Sequence, residues 1–234
     1  RIKYLIEVES CFNLYPSTNN TKLLNLLSNY VNLPIDNIQY FSSSDSIHEY
    51  LNTIYVSEGD SILIAGPTYD NFRLTTQSNG GVINYHNYKI DFYFNHLSFS
   101  ESIEKINPKI IYICNPNNPS GNLIDKNVLI KLIKSFPDSL FIIDEAYYEF
   151  TGVTLSDNVE NLKNLILTRT FSKAFALANF RFGYMISNSE NIENISKVRN
   201  SKNISTLCQE SAIAVLEDIP YMKNYVKSVK IARE

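Results

Sequence analysis

Seven short apolar runs punctuate the chain, at residues 38–41, 61–65, 82–85, 110–114, 140–143, 165–168 and 182–186. Runs this short fall below helix length and suit strands covered on both faces. Between them, residues 22–30, 46–56, 70–77, 100–106 and 125–134 repeat apolar positions at helical spacing, and a long helical system starts near residue 190. Strands alternating with helices predict an α/β fold, a mainly parallel seven-stranded sheet flanked by helices on both faces as an α-β-α sandwich.

A length of 234 residues allows one sizeable core, with room for little more than a small appendage. With 44% hydrophobic and 19% charged residues the composition is globular, and a net charge of -3 gives no electrostatic footprint for nucleic acid or an anionic membrane. No apolar run approaches the ~18 residues that span a bilayer, and no signal-peptide pattern opens the chain. Cys11, Cys114 and Cys208 are odd in number and far apart, which reads as reduced thiols of a cytoplasmic protein. His48, His86 and His96 form no i, i+4 ligand pair, so no metal is expected. Residues 1–8 and 221–234 both carry helical periodicity without a cap or stop signal, which predicts a piece of a longer protein.

In a sheet of this kind ligands sit beyond the carboxyl ends of the strands. The unusual segments 42–45, 67–69, 115–121, 144–147 and 170–173 all fall there. Lys173 is the only charge in the run 170–180, and partial burial there would free its amine as a nucleophile toward carbonyl carbon. The competing reading is a lysine whose stem covers apolar surface while its head reaches water. Asp144 closes the apolar run 140–143; a buried carboxylate calls for a cation such as a protonated heteroaromatic nitrogen, unless it merely caps the next helix. Asn115-Pro-Asn-Asn-Pro-Ser-Gly121 is a stiff loop that leaves Asn118 free to present an amide. Ser44 and Asp45 stand at a helix start where free N–H groups bind anions, with Ser46-x-x-Glu49 as a capping box. Thr170, Ser172 and Arg181 are candidates to close that anion cup, and Tyr69 to stack on a flat ring.

Taken in order, Tyr15-Pro16, Ser44-Asp45, Pro67-Thr-Tyr69, residues 115–121, Asp144-Glu-Ala-Tyr147 with Glu149-Phe150, and residues 169–181 resemble the fold-type I aminotransferases that use pyridoxal 5'-phosphate (PLP), and within them the histidinol-phosphate aminotransferase branch. The resemblance implies that Lys173 forms a Schiff base with the cofactor, Asp144 pairs with its ring nitrogen, and Asn118 and Tyr147 hydrogen-bond its phenolic oxygen. It implies Tyr69 stacked on the ring, and Ser44, Asp45, Thr170, Ser172 and Arg181 around the phosphate. Lys173, Asp144 and Tyr147 would be catalytic. It further implies a homodimer in which Tyr15 reaches the partner's site, a large domain over residues 1–220, and in 221–234 the start of a helix leading to a small domain.

Three stretches depart from the family pattern. Phe41-Ser-Ser43 stands for Gly-x-Gly, and Asn179 stands for a glycine whose left-handed backbone asparagine tolerates. Arg199-Asn-Ser-Lys-Asn203 stands for Arg-x-Pro-Tyr-Asn, placing Lys202 and Asn203 on the substrate side. The resemblance leads to an aminotransferase moving an amino group between an amino acid or amino-phosphate and a 2-oxo acid. The alternatives are a PLP-dependent decarboxylase of a phosphorylated amino acid and a non-catalytic relative.

Overall fold

The structure, a computed structural model, describes residues 13–233; the helical periodicity at 1–8 and Cys11 lie outside the described residues. The elements run α1 (Thr21–Val31), β1 (Ile38–Phe41), α2 (Ser44–Tyr55), β2 (Ser61–Gly66), α3 (Asn71–Ser78), β3 (Val82–Asn87), α4 (His96–Ile106), β4 (Ile110–Cys114), α5 (Lys126–Ser135) and β5 (Leu140–Asp144). They continue with the single turn α6 (Tyr148–Thr151), β6 (Leu165–Thr170), β7 (Gly183–Ser187), α7 (Ser189–Val198), α8 (Thr206–Leu216) and α9 (Ile219–Arg233). All seven apolar runs are strands of one sheet, ordered β1-β7-β6-β5-β4-β2-β3, with β7 antiparallel to both its neighbours. No helix among the described residues is long and apolar enough to cross a membrane.

Strand alternation sorts side chains onto two apolar layers. On one face Ile111, Ile113, Phe141, Ile143, Leu165 and Leu167 pack with Leu23 and Leu27 of α1, Phe99 of α4, Leu129 of α5 and Ala212 of α8. On the other, Tyr112, Cys114, Ile142 and Ile166 pack with Ile47 and Leu51 of α2, Phe72 of α3 and Ile195 of α7. Helix α9 closes the first layer with Met222 and Val226.

Two local expectations are corrected. Helix α2 starts at Ser44, two residues earlier than the periodicity suggests, because Ser43 is its N-cap and its Oγ accepts the Ser46 N–H at 3.0 Å. The cap is therefore Ser43 with Ser46, not a box of Ser46 with Glu49. Asn179 is not left-handed; in that stretch the positive φ belongs to Ala176 (56°) and Arg181 (51°).

Candidate active site

The carboxyl ends of β4, β5 and β6, the loops that follow them and the N-terminus of α2 surround one open cleft. Ser44, Asp45, Tyr69, Asn118, Asp144, Tyr147, Thr170, Ser172, Lys173 and Arg181 all line it, joined by Cys114, Ala146 and Ala178. Segments more than a hundred residues apart in the chain meet here because β1, β2, β4, β5 and β6 share one direction and present the same end.

Asp144 ends β5 with 2% of its surface exposed. Its Oδ1 accepts the Ala146 N–H at 3.0 Å and its Oδ2 accepts the Tyr112 hydroxyl at 2.9 Å. The Ala146 contact is local to the loop; the next helix, α6, has Tyr147 at its N-cap and no side-chain cap, so Asp144 does not cap it. Among the described residues no lysine or arginine lies within 4.0 Å of this carboxylate; its titratable neighbour is His48, whose Nε2 is 3.9 Å from Oδ2. Burial holds His48 below the usual histidine value, against the opposing pull of Asp144 and Asp45. Burial, with Asp144 adding to it, pushes the Tyr112 phenol and the Cys114 thiol well up, so both stay protonated.

Lys173 is exposed rather than partly buried, because residues 171–175 turn out of the sheet at the open mouth of the cleft. Phe171, Ala174 and Phe175 on either side of it are buried, anchoring the turn that presents the lysine. Its Nζ lies 5.4 Å from the centre of the Tyr147 ring, and Asn118 Nδ2 donates to the Tyr147 hydroxyl at 3.4 Å.

The anion cup has a feature absent from the sequence reading. The Asp45 carboxylate is occupied: it accepts from Tyr69 Oη, Asn71 Nδ2 and an Arg181 guanidinium nitrogen, each at 3.1 Å. An anion would be repelled by that carboxylate and drawn to the first N–H groups of α2, which have no acceptor inside the helix. Asp45 thereby orients Arg181 and Tyr69 around the cup. Burial and then Asp45 push the Tyr69 phenol up to about 12. Across the cup Thr170 Oγ1 and Ser172 Oγ are 2.9 Å apart, and the Ser172 N–H donates to Thr170 Oγ1.

Gly183 makes the cup possible and escaped the sequence reading. A Cβ there would stand 2.5 Å from the backbone C of Ser43 and N of Ser44, so only glycine lets β7 pass beneath the start of α2. Its signal is a lone glycine inside an apolar run. Glu145 and Arg169 were missed as a pair as well: they form a buried ion pair at 2.8 Å next to the cleft. Tyr15, Lys202 and Asn203 do not line the cleft. Tyr15 is 81% exposed, with Lys202 Nζ 4.8 Å over its ring, and Lys202 and Asn203 sit in the exposed turn Ser201–Asn203. Arg199, just before that turn, donates to the carbonyls of Thr18 and Tyr40 and so ties this surface to the N-terminal segment.

A family model described as aminotransferase class I and II matches residues 4–234. The dihydroxyacetone phosphate transaminase of Campylobacter jejuni is 45% identical over 230 residues, covering 97% of this chain and 62% of its own length. A histidinol-phosphate aminotransferase of Caldanaerobacter subterraneus is 34% identical over 205 residues, covering 88% of this chain and 58% of its own. Among solved structures, histidinol-phosphate aminotransferase from Sinorhizobium meliloti in complex with pyridoxal-5'-phosphate superposes with a TM-score of 0.91 at 24% identity, covering 99% of this chain and 63% of that one. The chain thus spans about three fifths of the length of these curated relatives.

Proposed function

This chain belongs to the class I and II aminotransferases, and from that premise we propose that the protein carrying it is a PLP-dependent transaminase of small phosphorylated substrates. The observation that carries the reading is the convergence of Lys173, Asp144, Asn118, Tyr147 and the cup of Ser44, Ser172 and Arg181 in one cleft. The two curated relatives described above are named for phosphorylated substrates, which supports that substrate class.

The donor set fits the cofactor. Asp144 is a buried carboxylate without a lysine or arginine partner among the described residues, suited to a cationic ring nitrogen. The start of α2 with Arg181 suits a phosphate, and the Asn118–Tyr147 pair suits a phenolic oxygen. When bound, PLP supplies an electron sink for the pair released at the substrate α-carbon. Lys173 would have two tasks: its amine would be the nucleophile toward carbonyl carbon, and the free amine would move the proton at the substrate α-carbon. Asp144 would hold the negative charge that favours a protonated ring nitrogen, Tyr69 would offer an aromatic surface for the ring, and Thr170 and Ser172 would add hydroxyl donors to the cup.

The residues outside the cleft extend the proposal. Tyr15, exposed and steadied by Lys202, is assigned to the cleft of a second copy in a cytoplasmic homodimer, with Lys202 and Asn203 beside the substrate entering there. Residues 1–220 are assigned to the large domain and 221–234 to the start of a link toward a small domain, with α9 running to Arg233.

The test is absorbance of the purified full-length protein loaded with PLP. Glutamate should bleach the visible band, and a small phosphorylated ketone should restore it with formation of its amine. Release of carbon dioxide from phosphoserine or phosphothreonine without bleaching would replace this reading with the decarboxylase. No response to any amino donor would reject both.

A further inference from the structure

His48 is fully buried, lies on helix α2 behind the cleft, and has no part in the chemistry assigned above. Its ring stands edge-on to two aromatic rings, 5.4 Å from Phe72 at 89° and 5.5 Å from Tyr112 at 88°, which hold the plane of the imidazole. In that orientation Nε2 faces two oxygens, Thr168 Oγ1 at 3.3 Å and Asp144 Oδ2 at 3.9 Å. Nδ1 has no hydrogen-bond partner among the described residues. A neutral ring with acceptors on one side and none on the other carries its proton on Nε2.

We infer that His48 is a positioning residue for Asp144: with Tyr112 it backs Oδ2 from the sheet side, fixing the carboxylate so that its charge is presented to the cleft. The inference rests on the PLP reading and adds to it a residue on the far side of the carboxylate. Charge decides why a neutral ring suits this place. A histidinium 3.9 Å from Oδ2 would compensate Asp144 from behind and leave little for a cation in the cleft. The groups facing the ring are Asp144 from β5, Tyr112 from β4 and, on its own helix, Asp45. Both carboxylates favour a proton on the imidazole, yet burial outweighs them and His48 stays neutral. Phe72 and Tyr112, stacked on each other at 4.3 Å, keep water from the ring and so maintain that balance.

The test uses the full-length protein loaded with PLP and reads the pH midpoint of its visible band, together with the affinity for PLP by equilibrium dialysis. A positive ring nitrogen disfavours a second positive charge nearby, so weakening Asp144 should move the midpoint up. His48→Leu is expected to raise the midpoint by about one pH unit and weaken PLP binding about ten-fold. His48→Gln, which can place an N–H donor near the Nε2 position, should recover most of both. Tyr112→Phe removes the hydroxyl that donates to Oδ2 and should move the midpoint the same way, so the inference stays testable if His48→Leu does not fold. A purely structural histidine would change the unfolding midpoint of the unloaded protein and leave the band untouched. Wild-type protein that loads normally beside His48→Leu and Tyr112→Phe proteins with unshifted midpoints would overturn this inference alone. Wild-type protein that takes up no PLP would overturn the reading beneath it as well.

Discussion

Asp144 and Glu145 are adjacent carboxylates, each 2% exposed, and they live in opposite electrostatic surroundings. Glu145 is complete: Arg169 Nε donates to it at 2.9 Å, and it also accepts from the Thr154 hydroxyl and the Leu155 N–H. Arg169 is satisfied in turn by Thr154 and by the face of Tyr148, 3.8 Å away. Asp144 has hydrogen bonds but, among the described residues, no lysine or arginine. Strand alternation makes the difference. Ile142, Asp144, Ile166 and Thr168 belong to the face covered by α2, where His48 waits, while Ile143, Glu145, Leu167 and Arg169 belong to the other. A buried charge the protein completes by itself is structural, and one it leaves incomplete at the mouth of a cleft is a place for a ligand.

The hardest way to break this comparison is to unpair the completed side. Arg169→Leu leaves Glu145 buried without its cation and should cost about 3–5 kcal/mol in urea unfolding. A loss below about 1 kcal/mol would mean the pair is no anchor. Asp144→Asn should do the reverse. Turnover is expected to fall at least about a hundred-fold, close to 2.7 kcal/mol in the barrier, with stability within about 1 kcal/mol of wild type. A large stability loss with intact turnover would exchange the two roles.

A third carboxylate sharpens the contrast. Glu149 accepts from Tyr30 Oη at 3.3 Å while its Oε2 has no partner among the described residues. Burial raises its pKa from 4.5 to about 7, with Arg169 pulling the other way. A carboxyl raised on folding binds more protons in the native state between those values. Its stabilisation is therefore complete below about pH 4.5 and is lost as pH rises through about 7. Glu149→Gln should abolish that fall, on the order of 3 kcal/mol, in thermal unfolding followed across the window. An unchanged pH profile would show that Glu149 titrates as an ordinary surface acid.

The elements and most of the cleft were legible because they depend on local pattern. An apolar run with turn formers behind it marks a strand end whatever the neighbours are; nine of the ten expected residues that line the cleft stand at or just after such ends, and Arg181 stands just before β7. What escaped depends on contacts across the sheet. The start of α2 moved to Ser44 because Ser43 is its cap above Gly183, a closeness no periodicity encodes. Lys173 proved exposed because the turn around it faces an open cleft, while its apolar neighbours point inward. The contact of Lys202 with the Tyr15 ring likewise arises because residues 199–203 pack against the N-terminal segment.

By itself the sequence determined the strand–helix alternation, the ends of the strands and the chemical types gathered there, since spacing and side-chain chemistry are properties of the chain alone. Only the tertiary structure decided which face each side chain took and what stood opposite it. Asp144 and Glu145 read alike in the chain, and pleat and register sent one toward His48 and the cleft and the other toward Arg169. Burial and the distance to a countercharge determine the energy of an ionised group, and both are set only when the strands pair.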